Sequence, residues 1–111
     1  MAEYKQYITQ VQENGNVMIS EDVVSTIVTH AVEEVEGVDG LRTKKSWGKV
    51  MKIQIAEDNS LTIDCNVAIG YGHSVIETAQ AVQSAITSAV ESMTGVKVTA
   101  VNVNICGIVR K

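Results

Sequence analysis

The sequence predicts an α+β fold: a two-layer sandwich in which two helices cover one face of a mostly antiparallel, four-stranded sheet. Two segments carry apolar residues at spacings of three and four, which is typical of amphipathic helices. The segments around them alternate apolar and polar residues, which is typical of half-buried strands. The predicted order of these elements along the chain is β-α-β-β-α-β. We expect two layers, because one apolar sheet face can satisfy the apolar stripes of both helices.

Length and composition favour one domain. The chain has 111 residues, of which 45% are hydrophobic and 20% are charged, as in ordinary globular domains. We therefore predict a single domain over residues 1–111, in which residues 1–14 form either a flexible lead-in or an edge strand.

The first strand is predicted over residues 16–19, directly after the dipeptide Asn14-Gly15. This dipeptide favours a tight hairpin turn, because both residues tolerate the positive φ angles that such a turn needs. A partner strand is therefore expected over residues 7–13.

A helix is predicted to follow, with Ser20 as its N-cap, to about Glu36, and with Gly37 as a left-handed stop. Its apolar positions mark the face that should meet the sheet. These positions are Val24, Ile27, Val28, Ala31, Val32 and Val35.

The middle of the chain is predicted to be a loop followed by a hairpin. Residues 38–49 show no periodicity and are expected to form a basic loop around Trp47. Residues 51–55 and 61–69 alternate apolar and polar positions on either side of a polar turn, which indicates an antiparallel hairpin.

The second helix is predicted to begin at a capping box of Ser74 and Glu77 and to end at Thr94, before Gly95. The strand after it should bend near Ala100, where the alternation changes phase. The apolar stripe of this helix is Val75, Ile76, Ala79, Val82, Ile86, Val90 and Met93. The predicted core combines Ile27, Ala31, Val35, Ile63, Val67, Val82, Ile86, Val103 and Ile105.

The charges are distributed unevenly along the chain. Acidic residues cluster in and beside the first helix, whereas five of the nine basic residues lie between Arg42 and Lys52. This asymmetry is typical either of two solvated surfaces or of surfaces that mediate self-association or bind an acidic partner or membrane surface. The candidate interaction residues are Arg42, Lys44, Lys45 and Trp47 in the basic loop and Glu33, Glu34 and Glu36 near the end of the first helix.

The second helix also carries a stripe of small residues beside its apolar stripe. Small side chains allow another helix or strand to approach closely, and close packing within the domain explains them equally well. The stripe is Thr78, Ala81, Ala85, Ser88 and Ser92.

Candidate catalytic and metal-binding residues are few and scattered. The two cysteines lie in different strands and the two histidines in different elements, so no spacing indicates a metal site. We predict no catalytic residues, no metal and no cofactor. The turn from Gly70 to Ser74 joins a strand to a helix N-terminus, so a small-ligand binder that uses this turn remains an alternative.

Charge and hydropathy disfavour two kinds of interaction, binding to nucleic acid and direct insertion into a membrane. The formal net charge of -4 disfavours a nucleic-acid binder, because affinity for phosphates comes mainly from lysine and arginine. No apolar run approaches the roughly 18–20 residues of a membrane-spanning helix, and the start MAEYKQYITQ lacks the pattern of a secretory signal. We expect a cytoplasmic protein without direct membrane insertion.

Two segments together resemble the alkaline shock protein family, the Gls-type general-stress proteins of Gram-positive bacteria. They are GNVMISEDVVSTIVTHAVEEVEGVDGL and VAIGYGHSVIETAQAVQSAITSAVESMTGVKVTAVNVNI, within a match that runs from about Gly15 to Val109. Members often have a proline soon after the Tyr-Gly pair, where this chain has Ser74-Val75-Ile76.

The resemblance implies a small, non-enzymatic cytoplasmic protein of cell-envelope homeostasis or stress. It also implies a homo-oligomer that is held near the membrane by a membrane-anchored protein partner. Some short members resemble companions of the dihydroxyacetone-kinase-like fatty acid kinase system, so an accessory partner of such a system is the alternative within the family.

Overall fold

The computed structural model describes residues 7–41 and 51–109. The helices are α1 and α2, and the strands are β1 to β6. In chain order they are β1 (Tyr7–Gln12), β2 (Gly15–Ser20), α1 (Glu21–Glu33), β3 (Val38–Leu41), β4 (Met51–Ile55), β5 (Leu61–Gly70), α2 (Val75–Thr94) and β6 (Val98–Val109).

Strand β5 is the centre of the main sheet, which contains four strands. It pairs in parallel with β6 along its whole length, from Leu61 to Gly70. On its other edge it pairs antiparallel with β4 over its first half and with β3 over its second half. The sheet is therefore three strands wide at any point, although four strands build it.

Strands β3 and β4 lie one after the other along the same edge of β5. Leu41, the last residue of β3, pairs with Val67, and Met51, the first residue of β4, pairs with Cys65. Both strands run antiparallel to β5, and the end of β3 and the start of β4 lie opposite positions two residues apart on β5.

The sheet differs from the predicted one in two respects. The predicted strand at residues 16–19 exists, but as β2 it pairs with β1 in a separate two-stranded sheet. The predicted loop over residues 38–49 is wrong at its start, because residues 38–41 form β3. The reason is that β5, at ten residues, extends beyond the five residues of β4 and offers backbone groups to a further strand.

The parallel pairing of β5 and β6 follows from the helix between them. Parallel neighbours need a long crossover, and α2 provides it as a β-α-β unit. The predicted bend near Ala100 is confirmed: Leu61 pairs with Val98 but Thr62 with Ala100, so Thr99 is the extra residue of a bulge.

The first helix ends at Glu33, earlier than the predicted Glu36. The Glu34 N–H donates to the Ala31 carbonyl at 3.3 Å, and the Val35 N–H donates to the Val32 carbonyl at 3.1 Å. These hydrogen bonds span three residues, so the last turn is tighter than an α-helical turn. Gly37 then reverses the chain with a φ of +97°. Ser20 occupies the N-cap position, but its side chain makes no capping hydrogen bond.

The second helix has both predicted caps. The Glu77 N–H donates to Ser74 Oγ at 3.4 Å, and Gly95 ends the helix with a left-handed φ of +72°. Its buried stripe differs from the prediction, because Val75, Ile76 and Met93 are exposed. The buried positions are spaced by four: Thr78, Val82, Ile86, Val90 and Thr94.

Thr94 can be buried because its hydroxyl group makes two hydrogen bonds. Thr94 Oγ1 donates to the Val90 carbonyl at 2.7 Å and accepts the Val96 N–H at 3.2 Å. Threonine therefore substitutes for an apolar residue at the end of the stripe without leaving a buried polar atom unpaired.

The core lies between the sheet and the two helices. Of the predicted core residues, six are buried and three are half-buried against the core. The buried ones are Ile27, Ala31, Ile63, Val67, Val82 and Ile86, and the half-buried ones are Val35, Val103 and Ile105. Ile8 of β1 is also fully buried, so residues 7–12 form a strand that contributes to the core.

The hairpin of β1 and β2 is held to the rest of the domain by Asn59, in the turn after β4. Its side-chain amide donates to the Thr9 carbonyl at 2.9 Å, and its side-chain oxygen accepts the Thr9 N–H at 3.3 Å. The side chain thus pairs with the edge of β1 as a neighbouring strand would. Gln10 adds a bond from its amide to the Thr94 carbonyl at 3.0 Å.

Replacing Asn59 by glycine should destabilise the domain by about 1–3 kcal/mol, because both bonds to Thr9 are lost. Glycine keeps the positive φ of 71° without strain, so the change isolates the side chain. Asn59→Asp, which retains only the acceptor, should lie between glycine and wild type. Urea denaturation and hydrogen exchange at the Thr9 amide measure the effect, and unchanged stability together with unchanged Thr9 protection would contradict it.

Candidate functional site

An apolar groove of about 760 Å³ lies between α1 and α2 on the outer side of the helical layer. The α1 side and the short turn after α1 contribute Thr26, Ile27, His30, Ala31, Glu34 and Val35, and α2 contributes Ala85, Ser88, Ala89, Ser92 and Met93.

The groove exists because the α2 side of the contact between the helices is built mostly from small residues. Ala85 and Ala89 of α2 are half-buried opposite Ile27 and Ala31 of α1, which are buried. Methyl-sized side chains let the helices meet at their base but do not fill the space above. At the rim, Met93 is 70% exposed, which is a large apolar side chain left without cover in the described part of the chain.

The charged rim of the groove is acidic. Among the described residues that line it, Glu34 is the one carboxylate, His30 is the other titratable residue, and none is lysine or arginine. Glu33 and Glu36, on either side of Glu34, are exposed. The groove therefore combines an apolar floor with negative charge at one end.

The candidate interaction residues divide into two groups. Glu33, Glu34 and Glu36 lie at the end of α1 and in the turn after it, and Glu34 reaches the groove. The other group, Arg42, Lys44, Lys45 and Trp47, lies outside the described residues.

The small residues of the predicted stripe on α2 do not all lie on one surface. Ala85, Ser88 and Ser92 line the groove, whereas Thr78 is buried in the core. Ala89, which the sequence pattern did not single out, also lines the groove, and Met93, predicted to face the core, lies at the rim. The sequence did contain a signal for the groove: the apolar positions of α2 cover a wider part of the helix surface than one core-facing stripe needs.

Three backbone N–H groups of the turn from Gly70 to Ser74, those of Gly70, Tyr71 and His73, already have carbonyl acceptors. The Gly70 N–H donates to the Gly37 carbonyl at 2.8 Å, and the Tyr71 N–H donates to the Val109 carbonyl at 2.7 Å. The Glu77 N–H is used by the Ser74 cap. An anion at this turn would compete with these bonds, which favours a structural role for the turn.

Within residues 7–41 and 51–109, no three His, Cys, Asp or Glu side chains are placed to hold a metal ion. Cys65 is buried and Cys106 is half-buried. Burial, and to a smaller extent the neighbouring Asp64 carboxylate, raises the pKa of the Cys65 thiol from 9.0 to about 11. Cys65 is therefore a core residue that remains protonated at neutral pH.

The chain belongs to the alkaline shock protein 23 family, described as having a cell envelope-related function, whose profile matches residues 9–110. The resemblance inferred from the two sequence segments is thereby confirmed.

Two curated relatives are both proteins of Gram-positive bacteria. Uncharacterized protein Spy1535 of Streptococcus pyogenes serotype M6 is 37% identical over 86% of this chain and 80% of its own length. Uncharacterized protein YqhY of Bacillus subtilis strain 168 is 30% identical over 85% of this chain and 77% of its own length.

The fold is similar to that of solved MamM CTD variants. Two of them are 16% identical to this chain, with a TM-score of 0.53, over 82% of this chain and 96% or 98% of theirs. At this level of identity the similarity concerns the fold alone. In the described part of this chain, neither helix is sufficiently long and apolar to cross a membrane.

The buried thiol gives the stability of the protein an alkaline limit. The unfolded thiol ionises near pH 9 and the folded one near pH 11, so the folded state holds the proton more tightly. The stabilisation that this provides is complete below about pH 9 and is lost as the pH rises from 9 to 11.

We expect denaturation in that pH range to show a loss of stability that the Cys65→Ala variant lacks. Alkylation of the folded Cys106→Ser variant should be slow at pH 8 and accelerate on unfolding. Fast alkylation of Cys65 in the folded protein would mean that this thiol is not buried.

Proposed function

We propose that this protein is a non-catalytic, cytoplasmic binding module of the cell envelope that self-associates and reaches the membrane through an anchored protein partner. The observation that carries the proposal is the apolar, acid-rimmed groove between α1 and α2. The family supplies the connection to the cell envelope.

The shape of the groove favours a protein over a small molecule. Small-molecule sites enclose most of the ligand surface and orient it with a few converging polar groups. This groove runs open along the outer helical face, and its polar lining consists of serine, threonine, His30 and Glu34 side chains at the rim. An exposed methionine such as Met93 adapts to the shape of a protein partner.

The charge distribution supports self-association. The exposed glutamates 33, 34 and 36 are complementary to the basic residues 42, 44 and 45, so a copy can attract another through unlike surfaces. A contact between unlike surfaces builds chains or rings and does not stop at a dimer. Exposed ion pairs contribute only about 0–1 kcal/mol each, so apolar contacts must supply most of the binding free energy.

Light scattering tests the self-association across a series of protein and salt concentrations. We expect wild-type assembly to weaken as salt rises, because the screening length falls from about 10 Å at 0.1 M to about 3 Å at 1 M. Replacing Arg42, Lys44 and Lys45 by alanine should weaken assembly at low salt.

The matched control removes the same charge elsewhere, by replacing Lys5, Lys97 and Lys111 with alanine, and should assemble as wild type does. A wild-type monomer at every concentration and salt would contradict the proposal. The membrane part is tested by flotation with lipid vesicles, where binding of the purified protein to lipid alone would contradict the need for a protein partner.

A further inference from the structure

We infer that the groove between α1 and α2 binds the basic segment 42–50 of a second copy of this chain, with Trp47 against the apolar floor. The inference rests on the proposed self-association and names the two surfaces that make it.

The groove suits an aromatic side chain. Its floor is formed by Ile27 and Ala31, and its α2 wall by Ala85 and Ala89. These short walls leave room for a large flat ring, which buries roughly 150–250 Å² of surface. Trp47 is the single tryptophan of the chain, and the 42–50 segment that carries it supplies no second large aromatic residue.

The charges select the basic segment over other parts of a second copy. The groove has Glu34 on its rim and exposed Glu33 and Glu36 beside it, and none of the described residues that line it is lysine or arginine. A second α1 in the groove would place acidic residues against acidic residues, which is unfavourable. The 42–50 segment brings four cations, Arg42, Lys44, Lys45 and Lys49, and no acidic residue.

The fold fixes both ends of this segment at the sheet edge. Leu41 pairs with Val67 and Met51 with Cys65, so the attachment points are separated by two residues of β5, or about 7 Å. Leu41 and Met51, which flank the segment, therefore both lie on a short stretch of the outer edge of the sheet.

The same geometry disfavours the groove of the same copy. Trp47 is four residues from Met51, so the two Cα atoms are at most about 14 Å apart. Helix α1 packs over β3 and β4, and α2 over β6, so α1 stands between this edge and the groove. A path around a helix of about 10–12 Å diameter exceeds that reach.

A complementation experiment tests the inference. The Trp47→Ala variant keeps the groove but lacks the tryptophan that would occupy it. The Ser92→Arg variant keeps Trp47 but places a cation and a long side chain in the groove. Each alone should assemble at least tenfold more weakly than wild type. Mixed, they should form a one-to-one dimer in which the Trp47 emission shifts to shorter wavelength, because the indole leaves water.

Ser84→Arg is the matched control, since Ser84 is exposed on α2 and does not line the groove. It should assemble as wild type does. If Ser92→Arg fails to fold, Glu34→Lys replaces it, with Glu13→Lys in the hairpin turn as its control.

The outcomes separate this inference from the proposed function. Wild-type-like assembly of both variants would overturn the inference and leave self-association standing. A blue-shifted Trp47 emission in the dilute monomer would also overturn it, because the segment would then occupy its own groove or core. A wild type that is monomeric throughout would overturn both.

Discussion

The burial of β5 is the constraint on which the rest of the structure depends. Its alternate side chains, from Leu61 to Ile69, are fully buried under the two helices, and its backbone pairs with three other strands. Since β6 takes one whole edge, β3 and β4 must share the other. That sharing sets the positions of the two residues that flank segment 42–50, because Leu41 lies opposite Val67 and Met51 lies opposite Cys65.

The helical layer follows from the same constraint. Each helix must cover its own part of a sheet three strands wide, with α1 over β3 and β4 and α2 over β6. Where the helices meet, small side chains let their bases touch while their outer faces diverge. The groove is thus a consequence of covering the sheet with two helices, because the α2 positions that face α1 are mostly alanine and serine. Its apolar lining is a part of the helical surface that no described residue covers.

Sequence periodicity predicted most elements and both caps of α2, because these depend on residues close together in the chain. It missed β3, since the four residues VDGL do not alternate and form a strand only because β5 offers an edge. The parallel pairing of β5 and β6 could not be predicted from the local pattern either, because it joins residues that are far apart in the chain. Met93 shows the limit for the site: an apolar residue at helical spacing looks the same whether it faces the core or the rim of a groove.

If the groove between α1 and α2 is a binding surface, its methyl groups must become shielded from solvent when the protein assembles, and relaxation caused by a soluble paramagnetic agent measures this shielding. Spectra of dilute and concentrated protein would be compared at Ala85, Ala89 and Met93, with the exposed Ile76 as the reference. We expect the paramagnetic relaxation to fall with protein concentration at the methyl groups of the three groove residues and to stay constant at Ile76. A fall at Ile76 with no change in the groove would contradict it.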